Sequence, residues 1–568
     1  MTAGPNDRLL TRAREMMATD RLSRRGFVRV AALLGVSAAS AYAMAGLPEP
    51  AVAQTAADLP FPPADPDARP GGRIRIGMNV QEMEDPALFS WGEMANQARH
   101  VLDYVAMAGP DNVTRPMLAA GWRPSDDLKT WTITLRDGVT WHNGDPLTAE
   151  DVAWNVRRWA DPTLGSANSG LSTFAAMIEE TGETDAEGQP IKRAIPDAVE
   201  VVDRLTLRLH LTKSVLSVPE DFSNFASAIV HPSFTPPWSD DPIGTGPYTL
   251  KRLVVGERCE LERITTRSDG EPFEYWGGEV FLDEIHYYDF SVDNQLVALA
   301  GGDVDAIFEF GPEQLPLARS IDGNILSVRT AYCLVLRMQA DQPPFDDPRV
   351  RKAFQLAVDN SAIAEIVFAE DADVGEDHHV SPIHPEYFEL PPLLRDVEAA
   401  KRLLAEAGHD DGIELTIDVG NTDGVWQQGV CEAARDQVAE AGIRLNINLM
   451  PPSKYWEIWT ATTFGATSWA HRPLGTMVLS QAYRSGVPWN ESHFSNPEFD
   501  AALDAAEATF DPDERRVKME KVQRLLQESG VIVQPLWRPI YTMTSHRVHA
   551  FPAHPSKYHQ LNKTWVES

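Results

Sequence analysis

Between residues 413 and 449 three periodic stretches follow one another with short links. A strand-like run over 413–419 leads into a helical pattern over 425–441 that stops at Gly442. Ile443, Leu445, Ile447 and Leu449 then alternate with polar residues, the period of a strand with one buried face. Two strands joined through a helix in so few residues form a parallel crossover. That unit commits this part of the chain to an α/β architecture. The neighbouring pattern agrees, because helix 396–407 stops at Gly408 just before the first strand.

Other segments extend the α/β reading. Ile74, Ile76, Met78 and Val80 alternate as a strand, a polar loop covers 81–93, and a helix is expected over 94–107. Trp131 to Arg136 reads as a strand turned by Asp137-Gly138. Thr148-Ala-Glu-Asp151 is a capping-box variant opening a helix through Val152, Val156 and Trp159. Asp347 and Pro348 start another helix, with Val350, Phe354, Ala357 and Val358 on its apolar face. Asp511-Pro-Asp-Glu514 starts one that Gly530 closes, and Val531-Ile-Val533 resumes a buried strand. No repeat or low-complexity tract follows residue 71.

The 568 residues suffice for two to four domains, at roughly 100–200 residues each. Lys+Arg number 50 against Asp+Glu 83, a net charge of −33 that repels phosphate backbones and argues against nucleic-acid partners. Three scattered cysteines (Cys259, Cys333, Cys431) cannot make a disulfide framework or a metal knuckle.

The first 54 residues form a separate unit. Ser23-Arg24-Arg25-Gly26-Phe27-Val28-Arg29 precedes an apolar, small-residue stretch from Val30 to Gly46. This resembles a twin-arginine export signal, with Ala51-Val-Ala53 as a cleavage site before Gln54. No cysteine near the site permits lipid attachment. A signal peptide over 1–54 and a flexible Pro/Ala/Asp-rich lead-in over 55–72 are therefore expected, with a soluble periplasmic mature chain.

Catalytic motifs are scarce: there is no nucleophile elbow, zinc-protease motif, phosphate loop or dinucleotide fingerprint, so no cofactor is expected. Asp371, Asp373, Glu376, Asp377, His378, His379 and His384 mix imidazoles with carboxylates. They lack a helical i, i+4 histidine pair, and the segment is read as a solvated loop without a metal. Open parallel sheets bind ligands beyond the carboxyl ends of their strands. This places loop 420–426, with Asp423 and Trp426, and loop 81–93, with Glu82, Glu84 and Trp91, at a cleft. Of the 15 tryptophans, Trp131, Trp141, Trp154 and Trp159 are assigned to packing. In Ser468 to Gly475, Trp469 offers a stacking wall, His471 a hydrogen-bond partner and Arg472 an anion clamp; Tyr483 is a further candidate.

Several runs, in order, resemble the extracytoplasmic solute-binding protein family 5, which serves peptide, nickel and oligosaccharide ABC transporters. They are Thr114–Trp122, Ser125–Trp131, Trp131–Gly144, Pro146–Val152, Ile243–Tyr248, Pro343–Ala353, Ala357–Asp359, Leu404–Gly408 and Val533–Leu536. The resemblance implies a two-lobed periplasmic-binding-protein fold (type II, cluster C-like) with a third small domain inserted in the N-terminal lobe. Lobe I would comprise 73–105, 239–312 and 534–568, the inserted domain 106–238, and lobe II 313–533. It implies a monomer that captures a small solute by lobe closure and delivers it to an inner-membrane permease, making and breaking no bond. Peptide-binding members carry an acid shortly after the tryptophan equivalent to Trp469, where this chain has His471 and Arg472. A buried ammonium beside Arg472 is unfavourable, so the dipeptide reading falls and oligosaccharide, sugar-acid, opine-like or blocked-peptide solutes rise. Alternatives are a periplasmic hydrolase with Glu82 and Asp423 across the cleft, and a metal-chelate receptor using His378, His379 or His384.

Overall fold

Strands Ile413–Val419 and Ile443–Leu449 pair in parallel, in register from Ile413–Ile443 to Val419–Leu449. Helix Trp426–Val438 joins them through a 3-10 turn that ends at Gly442, whose φ of 84° lies in the left-handed region glycine favours. The computed structural model describes residues 61, 63–184 and 190–567. The signal-like segment 1–54 and most of 55–62 therefore lie outside the described residues.

The crossover is one edge of a large mixed sheet. Its strand order is Tyr248–Val254, Arg258–Arg263, Glu284–Asp289, Arg73–Met78, Ala306–Ile307, Leu536–Thr544, Asn324–Met338, Phe464–Trp469, Ile413–Val419, Ile443–Leu449. The two long central strands cross from one half to the other. They pair antiparallel from Asn324–Thr544 to Val328–Ile540, lose register, and resume at Tyr332–Arg538. Beyond the slip, Cys333 to Met338 pair with Trp469 to Phe464. Extra residues on one strand bend and twist a sheet at the slip.

A second, four-stranded antiparallel sheet has the order Ala119–Pro124, Thr130–Leu135, Thr206–His210, Val199–Asp203. Helix Ala149–Trp159 lies over it, opened by the expected box between Thr148 and Asp151. Trp131, Trp141 and Trp159 are fully buried in this sheet's apolar cluster, and Trp159 meets Phe174 edge-on at 5.2 Å. Trp154 is half-buried beneath the Arg158 guanidinium, 4.8 Å from its ring.

The helix expected over 94–107 is shorter, Gly92–Ala98, and Ala106–Ala108 is a strand paired with Thr114–Pro116. Tertiary hydrogen bonds explain the difference. The carbonyls of His100 and Val101 accept from Tyr248 N and Gly246 N, and Asp103 accepts from Thr245, Tyr275 and Trp276. The same contact explains the Ile243-Gly-Thr-Gly-Pro-Tyr248 run. A Cβ on Gly244 would stand 1.9 Å from Val101 O, and one on Gly246 2.5 Å from His100 O. Helix Pro348–Ala357, capped by Asp347, and helix Pro512–Ser529, capped by Asp511 and ended at Gly530, match their sequence signals.

Candidate functional site

The register slip brings Tyr332 opposite Arg538 near the middle of the large sheet. Arg538 is only 5% exposed, although its strand Leu536–Thr544 is buried throughout. Its Cζ lies 4.9 Å from the Tyr332 ring centroid and 6.0 Å from that of Trp426. Nη2 donates to Asp423 Oδ1 at 3.0 Å, Nε stands 2.8 Å from Asp423 Oδ2, and Glu309 Oε2 is 3.7 Å away. Lys557 Nζ donates to Glu309 Oε1 at 2.7 Å and lies 5.2 Å from the Tyr332 ring.

Each carboxylate is delivered by a different loop. Asp423 sits in the loop after Ile413–Val419, shaped by Asn421 (φ 45°) and Gly424 (φ 107°), and the Trp426 indole donates to its carbonyl. Glu309 follows the short strand Ala306–Ile307. Burial by itself would lower the pKa of Arg538 and Lys557, yet the facing carboxylates raise both above their ordinary values. Burial raises Glu309, but Lys557 and Arg538 outweigh it and hold its carboxyl below the usual range. Two cations, each paired with an acid, thus lie against one tyrosine, all partly screened from water.

Trp469, His471 and Arg472 form a neighbouring group. Trp469 ends strand Phe464–Trp469, and its indole donates to Glu491 Oε1 at 2.9 Å. His471 Nδ1 accepts from Ala331 N at 3.1 Å, so Nε2 carries the proton toward Asn112 Oδ1 at 3.0 Å. Burial holds His471 well below its ordinary pKa, hence neutral. Asn112 also donates to the carbonyls of Ile383 and Pro473, tying the 106–116 hairpin to this loop. Arg472 makes only long hydrogen bonds, to Gln481 at 3.4 Å and His471 O at 3.3 Å. Burial lowers its pKa, opposed by Tyr332, Tyr558 and Asp221.

Trp426 is 5% exposed beside Arg538, and Trp91 is 64% exposed at the N-cap of Gly92–Ala98. Tyr483 packs in an apolar core, its hydroxyl 2.7 Å from His379 Nδ1. Glu82 lines a surface groove with Glu84, Lys251 and Arg252, a pocket that Asp423 does not share.

The solvated-loop reading of the histidine segment is corrected: His378, His379 and His384 are buried. The segment is drawn inward because its ring nitrogens are used by the protein. His378 meets Glu376 and Gln523, His379 meets Tyr483 and Cys333, and His384 meets Ser381 N and Arg472 O. Among the described residues no group of three or more His, Cys, Asp or Glu is arranged to hold a metal ion. The three cysteines are buried and unpaired.

Arg538, Glu309, Lys557 and Tyr332 were not found by sequence reasoning. A signal existed for Arg538: a lone charge inside the apolar run Leu536-Trp-Arg-Pro-Ile-Tyr541. The other three are ordinary loop or strand residues whose meeting depends on three distant segments.

Residues 113–484 match the family described as bacterial extracellular solute-binding proteins, family 5 Middle. The chain is 26% identical over 480 residues to the glutathione-binding protein GsiB of Salmonella paratyphi A, covering 80% of this chain and 86% of the relative. It is 23% identical over 488 residues to the periplasmic oligopeptide-binding protein OppA of Haemophilus influenzae, covering 80% and 85%. The fold is similar to the unliganded open form of the periplasmic murein tripeptide binding protein MppA, with a TM-score of 0.74 at 20% identity, covering 88% and 98%. It is also similar to HbpA2 of Haemophilus parasuis, with a TM-score of 0.73 at 19% identity, covering 88% and 100%. The two-lobed fold with its crossing strands and the match over the middle of the chain converge: this chain belongs to the bacterial extracellular solute-binding proteins, family 5.

Proposed function

We propose that the protein is the solute-binding component of an ABC importer and takes a small, amino-acid-derived solute of peptide-like or opine-like character. One observation carries the solute class. Asp423 from one half and Glu309 from the other meet Arg538 and Lys557 at the hinge. A solute with a carboxylate and an amine can exchange into both kinds of pair, and it then bonds to both halves at once. Such a ligand stabilises the closed form by its differential affinity. The oligosaccharide reading needs free aromatic faces, whereas Tyr332 and Trp426 already face the Arg538 guanidinium. Trp469 and Arg472 complete the wall, with His471 holding their loop.

We infer the rest of the reading from the sequence motifs together with the family. Lobe I comprises 73–105, 239–312 and 534–568, the small inserted domain 106–238, and lobe II 313–533. A twin-arginine signal over 1–54 exports the chain to the periplasm as a monomer, and the closed form is what an inner-membrane permease recognises. The solute is released unchanged, so the protein is not an enzyme.

Titration calorimetry and small-angle scattering test this with glutathione, trialanine, an opine and a maltooligosaccharide. An amino-acid-derived member should bind with a contraction of the envelope and be recovered intact by mass spectrometry. Binding confined to the oligosaccharide overturns the solute class; chemical turnover of a bound solute overturns the transport reading.

A further inference from the structure

Arg99 caps the C-terminal end of helix Gly92–Ala98 and is 7% exposed. Its guanidinium lies between two aromatic rings, with Cζ 4.6 Å from the Tyr104 centroid and 3.9 Å from that of Tyr558. The rings cover its faces and leave its edge to hydrogen bonding. That edge is unanswered: Nε and Nη2 are both buried and have no hydrogen-bond partner among the described residues. Two other buried arginines have a carboxylate close by. Arg337 has Glu491 at 3.0 Å, and Arg538 has Asp423 at 2.8 Å. A buried guanidinium without an anion is unfavourable unless something else supplies one.

The surroundings do not supply it. The nearby imidazoles of His100, His554 and His559 are held neutral, by burial first and with the Arg99 charge contributing. His559 Nδ1 is likewise buried with no hydrogen-bond partner among the described residues. Tyr558 connects this place to the hinge. Its hydroxyl feels the charges of Arg99 and Arg472 and the phenols of Tyr104 and Tyr332, and the preceding residue, Lys557, pairs with Glu309.

We infer that the Nε–Nη2 edge of Arg99, clamped between Tyr104 and Tyr558, receives a carboxylate of the bound solute. This assignment rests on the solute-binding reading above and adds to it where one end of the solute lies. A carboxylate matches the planar edge with two parallel charge-assisted hydrogen bonds.

The test uses two pairs of probes that differ in one carboxylate: glutathione with its glycyl ethyl ester, and trialanine with trialaninamide. Calorimetry on the full mature chain should show the free acid binding about 10–100-fold more tightly than its blocked partner. In Arg99→Gln that ratio should fall to about 1, and Arg99→Lys should recover only part of it, because a point charge lacks the fork. Thermal melts show whether each variant is folded. Should Arg99→Gln not fold, the acid and blocked probes on the unaltered protein still decide: equal affinities overturn the carboxylate assignment. A ratio unchanged in folded Arg99→Gln places the carboxylate elsewhere and overturns the role of Arg99, leaving solute binding intact. Failure of all four probes to bind overturns the solute-class reading, and this inference with it.

Discussion

Two buried arginines on the same sheet do different work. Arg337 reaches Glu491 at 3.0 Å and the carbonyls of Trp459 and Thr462, while Glu491 also accepts from Thr467 and the Trp469 indole. Every one of these partners belongs to the half that contains Phe464–Trp469, and the two side chains are 0% and 2% exposed. Arg538 is nearly as buried, but its two acids come, on the lobe division proposed above, from opposite lobes and keep 23% and 17% of their surface. A pair shut inside one rigid body can only stabilise that body. A pair spanning two bodies changes when they move, so the same chemistry becomes sensitive to closure and to a competing solute.

The contrast can be broken in four places. Arg337→Met should have the largest effect on folding, because it strands the Glu491 charge in the interior. A loss of about 3–5 kcal/mol is expected in urea unfolding, with the affinity of the folded fraction unchanged. An unchanged midpoint would mean that Glu491 finds water or another partner.

Arg538→Met should do the reverse. Solute affinity should fall on the order of 100-fold, while stability changes little because Asp423 and Glu309 can rehydrate. A large drop in Tm with normal binding would turn Arg538 into a second structural pair.

Asp221 sharpens the comparison from a third side, since it is a buried carboxylate with no ion pair among the described residues. Oδ2 accepts from Thr173 N, Thr173 Oγ1 and Ser217 Oγ, whereas Oδ1 has no partner. Burial raises its pKa from 3.8 to about 6. At this site the folded chain therefore binds more protons than the unfolded one between these values. The contribution of Asp221 to stability should decline as pH rises through that window, by on the order of 1–3 kcal/mol, against the opposite contribution of histidines that burial keeps neutral. The stability of the parent protein relative to Asp221→Asn should therefore fall in melts from pH 4 to 7; a difference independent of pH would mean that Asp221 does not titrate in this range.

Arg472→Ala should give the smallest change, about tenfold in affinity, since its guanidinium makes only long hydrogen bonds at the edge of the cluster. Affinity equal to that of the parent protein would remove Arg472 from the solute wall.

Much of the scaffold was readable along the chain. The 413–449 crossover, the Thr148 box and the Asp347 and Asp511 caps are local signals, and each element formed where its caps and periodicity placed it. The 94–107 helix failed because residues 100–103 exchange helical hydrogen bonds for partners at 245–248 and 275–276, which no local pattern reveals. The histidine segment looked solvated because it is polar, but its ring nitrogens are answered by residues such as Tyr483 and Gln523, about a hundred or more positions away. Asp423 was legible as a cleft residue because it follows a parallel strand. Its partner Arg538 was not, because only the return of the C-terminal strand to the middle of the sheet brings them together.

The order of motifs and the parallel crossover determined the family and the α/β class, since periodicity, caps and turns act over a few residues. Tertiary structure alone decided which charges meet. Tyr332, Asp423, Arg538 and Lys557 lie far apart in the chain, and a register slip between two crossing strands makes them neighbours. Coulomb energy depends on distance in space and on burial, and neither is written in the sequence.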